Sequence, residues 1–144
     1  MKVLVASGFF HGAFIQDLQT RVPDLQVSFD FSDILALANA SALERLCVAV
    51  EALWEPQHNI DGWEIGLRVH SIDASIPILV FNGNRTEAMQ HPANEVYVDA
   101  GPMTYEEQLR IAEMFFKGLL QEKDCVRGFK ATNAGNVFSD GRQT

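Results

Sequence analysis

Ile78-Leu79-Val80-Phe81 is an unbroken run of large apolar residues, opened by Pro77 and closed by the turn-forming string Asn82-Gly83-Asn84. A strand with one wet face alternates apolar and polar residues, and this one does not. It is therefore expected to be buried on both faces, which requires a sheet covered by helices on both sides.

The remainder of the chain supplies such elements in alternation. Lys2 to Ala6 reads as a short buried strand ended by Ser7-Gly8, and His11 to Val22 places Phe14, Leu18 and Val22 at helical spacing before Pro23. Leu25, Val27, Phe29 and Phe31 alternate with polar residues and predict a second strand. Ser32 or Asp33 is an N-cap candidate for a helix through Leu46, and Cys47 to Leu53 reads as a third strand. Gly62 to Ile72 predicts a helix carrying Ile65, Leu67 and Val69, and Arg85 to His91 has room for a short helix before Pro92. Glu95 to Val98 reads as a fifth strand, and Thr104 caps a closing helix through Gln121 with Leu109, Ala112, Phe116, Leu119 and Leu120 on one face. Five strand-helix units predict a (βα)5 doubly wound, parallel five-stranded α/β sheet, with the functional crevice beyond the carboxyl ends of its strands.

The 144 residues suit one domain, taken as residues 1–124. Residues 125–144, rich in Gly, Asn and Ser, read as a flexible C-terminal tail. The formal net charge of −8 repels phosphate backbones and argues against nucleic-acid binding. The opening apolar run is too short for a signal peptide core or a membrane span, and the two cysteines, Cys47 and Cys125, lack metal-ligand spacing. A cytoplasmic, reducing environment without membrane contact is expected. His11, His58, His70 and His91 are dispersed, so neither a metal nor another cofactor is expected.

The segment Asp61-Gly62-Trp63-Glu64-Ile65-Gly66-Leu67-Arg68, preceded by Pro56 and followed by Ile76-Pro77-Ile78, resembles the response-regulator receiver domain. The resemblance is specific over about residues 50–82 and covers residues 1–121 in layout. It implies a flavodoxin-like or receiver-like fold. It also implies a chemistry that this sequence departs from at nearly every point. Receivers hold Mg²⁺ on an acidic pair after the first strand, where this chain has Ala6, Ser7 and Gly8. They take a phosphoryl group on an aspartate ending the third strand, where this chain offers Glu51 or Ala52. Their Thr or Ser after the fourth strand is here Asn82, and their Lys before a Pro is Gly101 before Pro102. Tyr97 stands near the family's aromatic switch position, one residue out of register.

The resemblance thus implies a degenerate pseudo-receiver of a phosphorelay-type pathway, without enzyme activity, acting through a protein partner such as a sensor kinase or output protein. Glu51, with its longer side chain, could mimic a phosphorylated aspartate, or could be a plain strand-end carboxylate. A second resemblance competes. Lys2-Val3-Leu4-Val5-Ala6-Ser7-Gly8 with Trp63-Glu64-Ile65-Gly66 is similar to nucleoside deoxyribosyltransferases, which would make Glu64 a nucleophile. Finally, Tyr105, Met114 and Phe115 fall outside the apolar stripe of the closing helix. They predict a homodimer through the face of the short helix, the fifth strand and the closing helix, with Phe115 as the principal contact.

Overall fold

In the computed structural model, residues 1–5, 12–28, 31–49, 62–81, 96–99, 104–120 and 128–131 are described. The Ile78–Phe81 run is a strand, β4, and all four residues are buried. It lies inside the sheet, between β3 (Arg45–Ala49) and β5 (Val96–Asp99). Beyond β3 come β1 (Lys2–Val5) and then β2 (Leu25–Ser28) at the edge. The order β2-β1-β3-β4-β5 is parallel throughout, which is the order of flavodoxin-like doubly wound sheets.

Alternate residues of these strands feed two separate cores. Val3, Val5, Leu46, Val48, Ile78 and Val80 pack with Phe31, Ile34 and Ala38 of α2 (Phe31–Asn39) and with Ile65 and Val69 of α3 (Gly62–Ile72). Leu4, Cys47, Ala49, Leu79 and Phe81 pack with Phe14 and Leu18 of α1 (Gly12–Arg21) and with Leu109, Phe115 and Phe116 of α4 (Tyr105–Phe116). Burying each Leu, Ile or Phe in this way contributes about 1.5–3 kcal/mol, so β4, shared by both cores, is the keel of the sheet.

Several boundaries differ from the sequence expectation. Phe31 does not continue the second strand; it begins α2 and is buried beneath it. That helix ends at Asn39 rather than Leu46, because Ser41 takes a left-handed φ of 58° and Ala42 N–H donates to Leu37 O at 2.8 Å. Leu43 and Leu46 mimic helical spacing, yet Leu46 belongs to β3, which starts at Arg45. The closing helix stops at Phe116, not Gln121. Gly118, at φ 74°, donates to Phe115 O and Leu119 N–H donates to Met114 O, the paired bonds of a Schellman motif. Leu119 is consequently 59% exposed rather than part of the apolar face. The start of this helix is as expected, with a reciprocal capping box between Thr104 and Glu107.

Among the described residues the sheet has six strands, not five. Residues 128–131, set aside above as tail, form β6 (Gly128–Ala131), antiparallel to β5. A four-residue antiparallel strand has no helical crossover and few large apolar residues, so neither pattern used to find the parallel strands detects it.

Candidate functional site

The carboxyl ends of the parallel strands lie in a common row. The register pairs Val5 with Ser28, Ala49 with Phe81, and Phe81 with Asp99. Val5, Ala49 and Phe81 are fully buried, so the floor beneath the crevice is dry and apolar. The residues that the receiver resemblance places on this floor, Ala6, Ser7, Gly8, Glu51, Ala52, Asn82 and Gly101, lie outside the described residues. What the fold fixes is their attachment: Ala6 directly follows Val5, Asn82 follows Phe81, Glu51 comes two residues after Ala49, and Gly101 two after Asp99. Four segments that are distant in sequence are therefore anchored along one edge of the sheet.

Tyr97 lies within β5, paired with Leu79 on one side and with Lys130 of β6 on the other. The outer edge of β5 is thus paired with β6 of the same chain. The expectation for Phe115 is corrected. It is 0% exposed, packed edge-on against Phe116 with centroids 5.2 Å apart, and covered by the Arg45 guanidinium at 5.5 Å. The apolar stripe of α4 is broader than a four-residue periodicity suggests and takes in Ile111 and Phe115 as well as Leu109, Ala112 and Phe116. Phe115 is a core residue and makes no surface contact.

Glu64 occupies the first turn of α3 and accepts from Arg68 Nε at 3.0 Å, one helical turn on. Arg68 also stands over the Phe31 ring, 5.9 Å from its centroid. Glu64 and Arg68, with Leu35, Leu67, Ser71 and Ile72, line a shallow groove of 430 Å³ between α2 and α3. The Glu64 side chain is 46% exposed. The arrangement is that of a half-solvated carboxylate held by a guanidinium on a helix surface.

The opposite face carries a network that sequence reading missed. Arg21, at the end of α1, reaches Glu113 at 3.3 Å and Glu106 at 3.5 Å on α4, and Lys117 reaches Glu113 at 2.7 Å. The hydrogen bond from Lys117, with Arg21 beside it, holds the Glu113 carboxyl below its ordinary value against the opposing effect of burial. Tyr105 adds a hydrogen bond to Asp17 and an edge contact with Phe14. The spacing of these charges within each helix hints at exposed faces, but only the docking of α1 on α4 brings them together.

Burial pushes the Cys47 thiol well up, so it stays protonated in the core. Among the described residues no cluster of three or more His, Cys, Asp or Glu side chains forms, and no helix is long and apolar enough to cross a membrane.

No protein-family model matches this sequence, and no curated protein matches it either.

Proposed function

We infer that this chain is a degenerate receiver-like signalling module that works by protein contact rather than by phosphotransfer. The observation that carries the reading is the parallel order β2-β1-β3-β4-β5, which gathers the segments after β1, β3, β4 and β5 along one edge. On that edge a receiver's chemistry needs two acids and an aspartate, and this sequence has Ala6-Ser7-Gly8 and Glu51-Ala52. Without the acidic pair, a divalent cation has few hard oxygen ligands there. Without a Lys before Pro102, a transferred phosphoryl group lacks a compensating charge.

The working surface is the outward side of α4. Its inward side is consumed by the core, while Glu106, Arg110 and Lys117 are exposed and Met114 is half-buried beside Arg110. The partner is a signalling protein, either a sensor kinase or an output protein.

Incubation with acetyl phosphate and Mg²⁺, read by intact-protein mass spectrometry, tests the reading. No mass gain is expected. A stoichiometric gain of one phosphoryl group would overturn it.

A further inference from the structure

We propose that the outer edge of β5 is a strand-acceptor site, and that a second copy of this chain can fill it with its own Gly128–Ala131, exchanging β6 to give a two-fold dimer.

The argument begins with what seals that edge. A parallel sheet ending at Val96–Asp99 would present a row of unpaired N–H and C=O groups. Here the row is paired with β6 in a defined antiparallel register, Val96 with Ala131, Tyr97 with Lys130, Val98 with Phe129 and Asp99 with Gly128. The kind of segment the edge accepts is therefore displayed by the molecule itself. Among the described elements, β5 is the only one with which β6 makes extensive contact, so pairing along the edge of β5 is what places it. Each net backbone hydrogen bond contributes only about 0.5–1.5 kcal/mol, and a four-residue strand makes few of them.

Charge favours this occupant over other extended segments. Residues 125–144 hold three basic residues, Arg127, Lys130 and Arg142, against one acid, Asp140. Residues 1–124 hold eight basic and eighteen acidic residues. The C-terminal segment is thus cationic and the rest of the chain anionic, a complementarity that a second copy offers as well as its own chain does. Seven residues separate Leu120 from Gly128. Fully extended, such a connection spans about 25 Å, enough to deliver β6 to a neighbouring molecule. Exchange keeps every β5–β6 pairing, which is why it is a low-cost route to a dimer.

Paired cysteines test this in the full chain. In a Cys125→Ser background, Val98→Cys and Phe129→Cys place thiols at partnered positions of β5 and β6. After oxidation at several hundred micromolar protein, the double variant is expected to give a covalent dimer on a non-reducing gel, and each single variant none. A link found only within monomers overturns the proposal, as does no link at all, or a single variant that dimerises equally. Light scattering on the unaltered chain provides a reading independent of those substitutions. A dimer fraction that grows with concentration and is lost in Lys130→Pro, which puts a proline inside β6 at the position partnered with Tyr97, is expected. A chain that stays monomeric at several hundred micromolar overturns the proposal, and so does a dimer that survives Lys130→Pro unchanged.

Discussion

The hydroxyl of Tyr105 donates to Asp17 Oδ2 at 2.5 Å, tying the first turn of α4 to the middle of α1. The hydrogen bond to Asp17 raises the Tyr105 phenol above its ordinary value of 10.0, helped by partial desolvation and by the negative charge of Asp17. A group whose folded value is raised contributes stability that is fully present below its unfolded value and is lost as pH rises through the folded one. The contribution of Tyr105 is therefore intact at neutral pH and disappears in the alkaline range above 10. Tyrosinate absorbance should show an ionisation step above the ordinary value in the wild type. Asp17→Asn should bring that step back toward the ordinary value. Superimposable titrations of the two proteins would show that the contact is not held in solution.

Phe115 gives the largest expected effect on stability. It is fully buried, and Phe116 and Arg45 close over it. Phe115→Ala should lower the unfolding free energy by about 3–5 kcal/mol, measured by urea denaturation with a linear extrapolation. Phe115→Glu should fail to fold, since a carboxylate there has no water and no designed partner. A soluble, folded Phe115→Glu protein would contradict the core assignment.

The contrast between Phe115 and Ile78–Phe81 shows what the sequence makes legible. A run of four apolar residues has one structural solution, because either face of the strand must be covered, and the parallel sheet follows from it. Adjacent Phe115 and Phe116 point 100° apart on a helix, and spacing alone assigns one inward and one outward. The structure buries both, because Ile111 and Phe115 join Leu109, Ala112 and Phe116 in the core that α4 shares with α1 and the sheet. Strand β6 was illegible for a different reason. Its Gly-Phe-Lys-Ala has no apolar alternation strong enough to predict, and only the edge of β5 gives it a place. At the candidate site, the topology that brings strand ends together was legible from the alternation of elements. The α1–α4 charge network was not, because Arg21 and Glu113 are 92 positions apart in the chain.

That network should be visible in acid. The Glu113 carboxyl is held below its ordinary 4.5 by the hydrogen bond from Lys117 and by Arg21. A group whose folded value is depressed contributes stability that is present above its unfolded value and is lost as pH falls through the folded one. Glu113→Gln should therefore be less stable than the wild type at neutral pH. The gap should narrow as pH falls below about 4.5 and close once the wild-type carboxyl is protonated. Urea midpoints of both proteins between pH 7 and pH 3 check this, and a constant gap across that range would mean the effect is packing rather than charge.

Two glycines should respond to alanine with opposite signs, and the reason is geometric. Gly66 sits inside α3, where glycine is less favourable than alanine by roughly 0.5–1 kcal/mol because it loses more backbone freedom on folding. A Cβ added there would stand 3.7 Å from Ile78 Cγ2 and 3.9 Å from its Cδ1, which is ordinary contact with β4. Gly66→Ala should therefore stabilise the protein by about 0.5–1 kcal/mol. Gly118 ends α4 at φ 74°, a conformation an L side chain resists, and its Cβ would lie 3.3 Å from Arg45 Nη2. That guanidinium is already placed over Phe115, so it has reason to stay. Gly118→Ala should destabilise by about 1 kcal/mol or more. Both shifts are readable as changes in urea midpoint at constant m-value. A loss of stability in Gly66→Ala would mean that α3 needs the closer approach to Ile78 that only glycine permits.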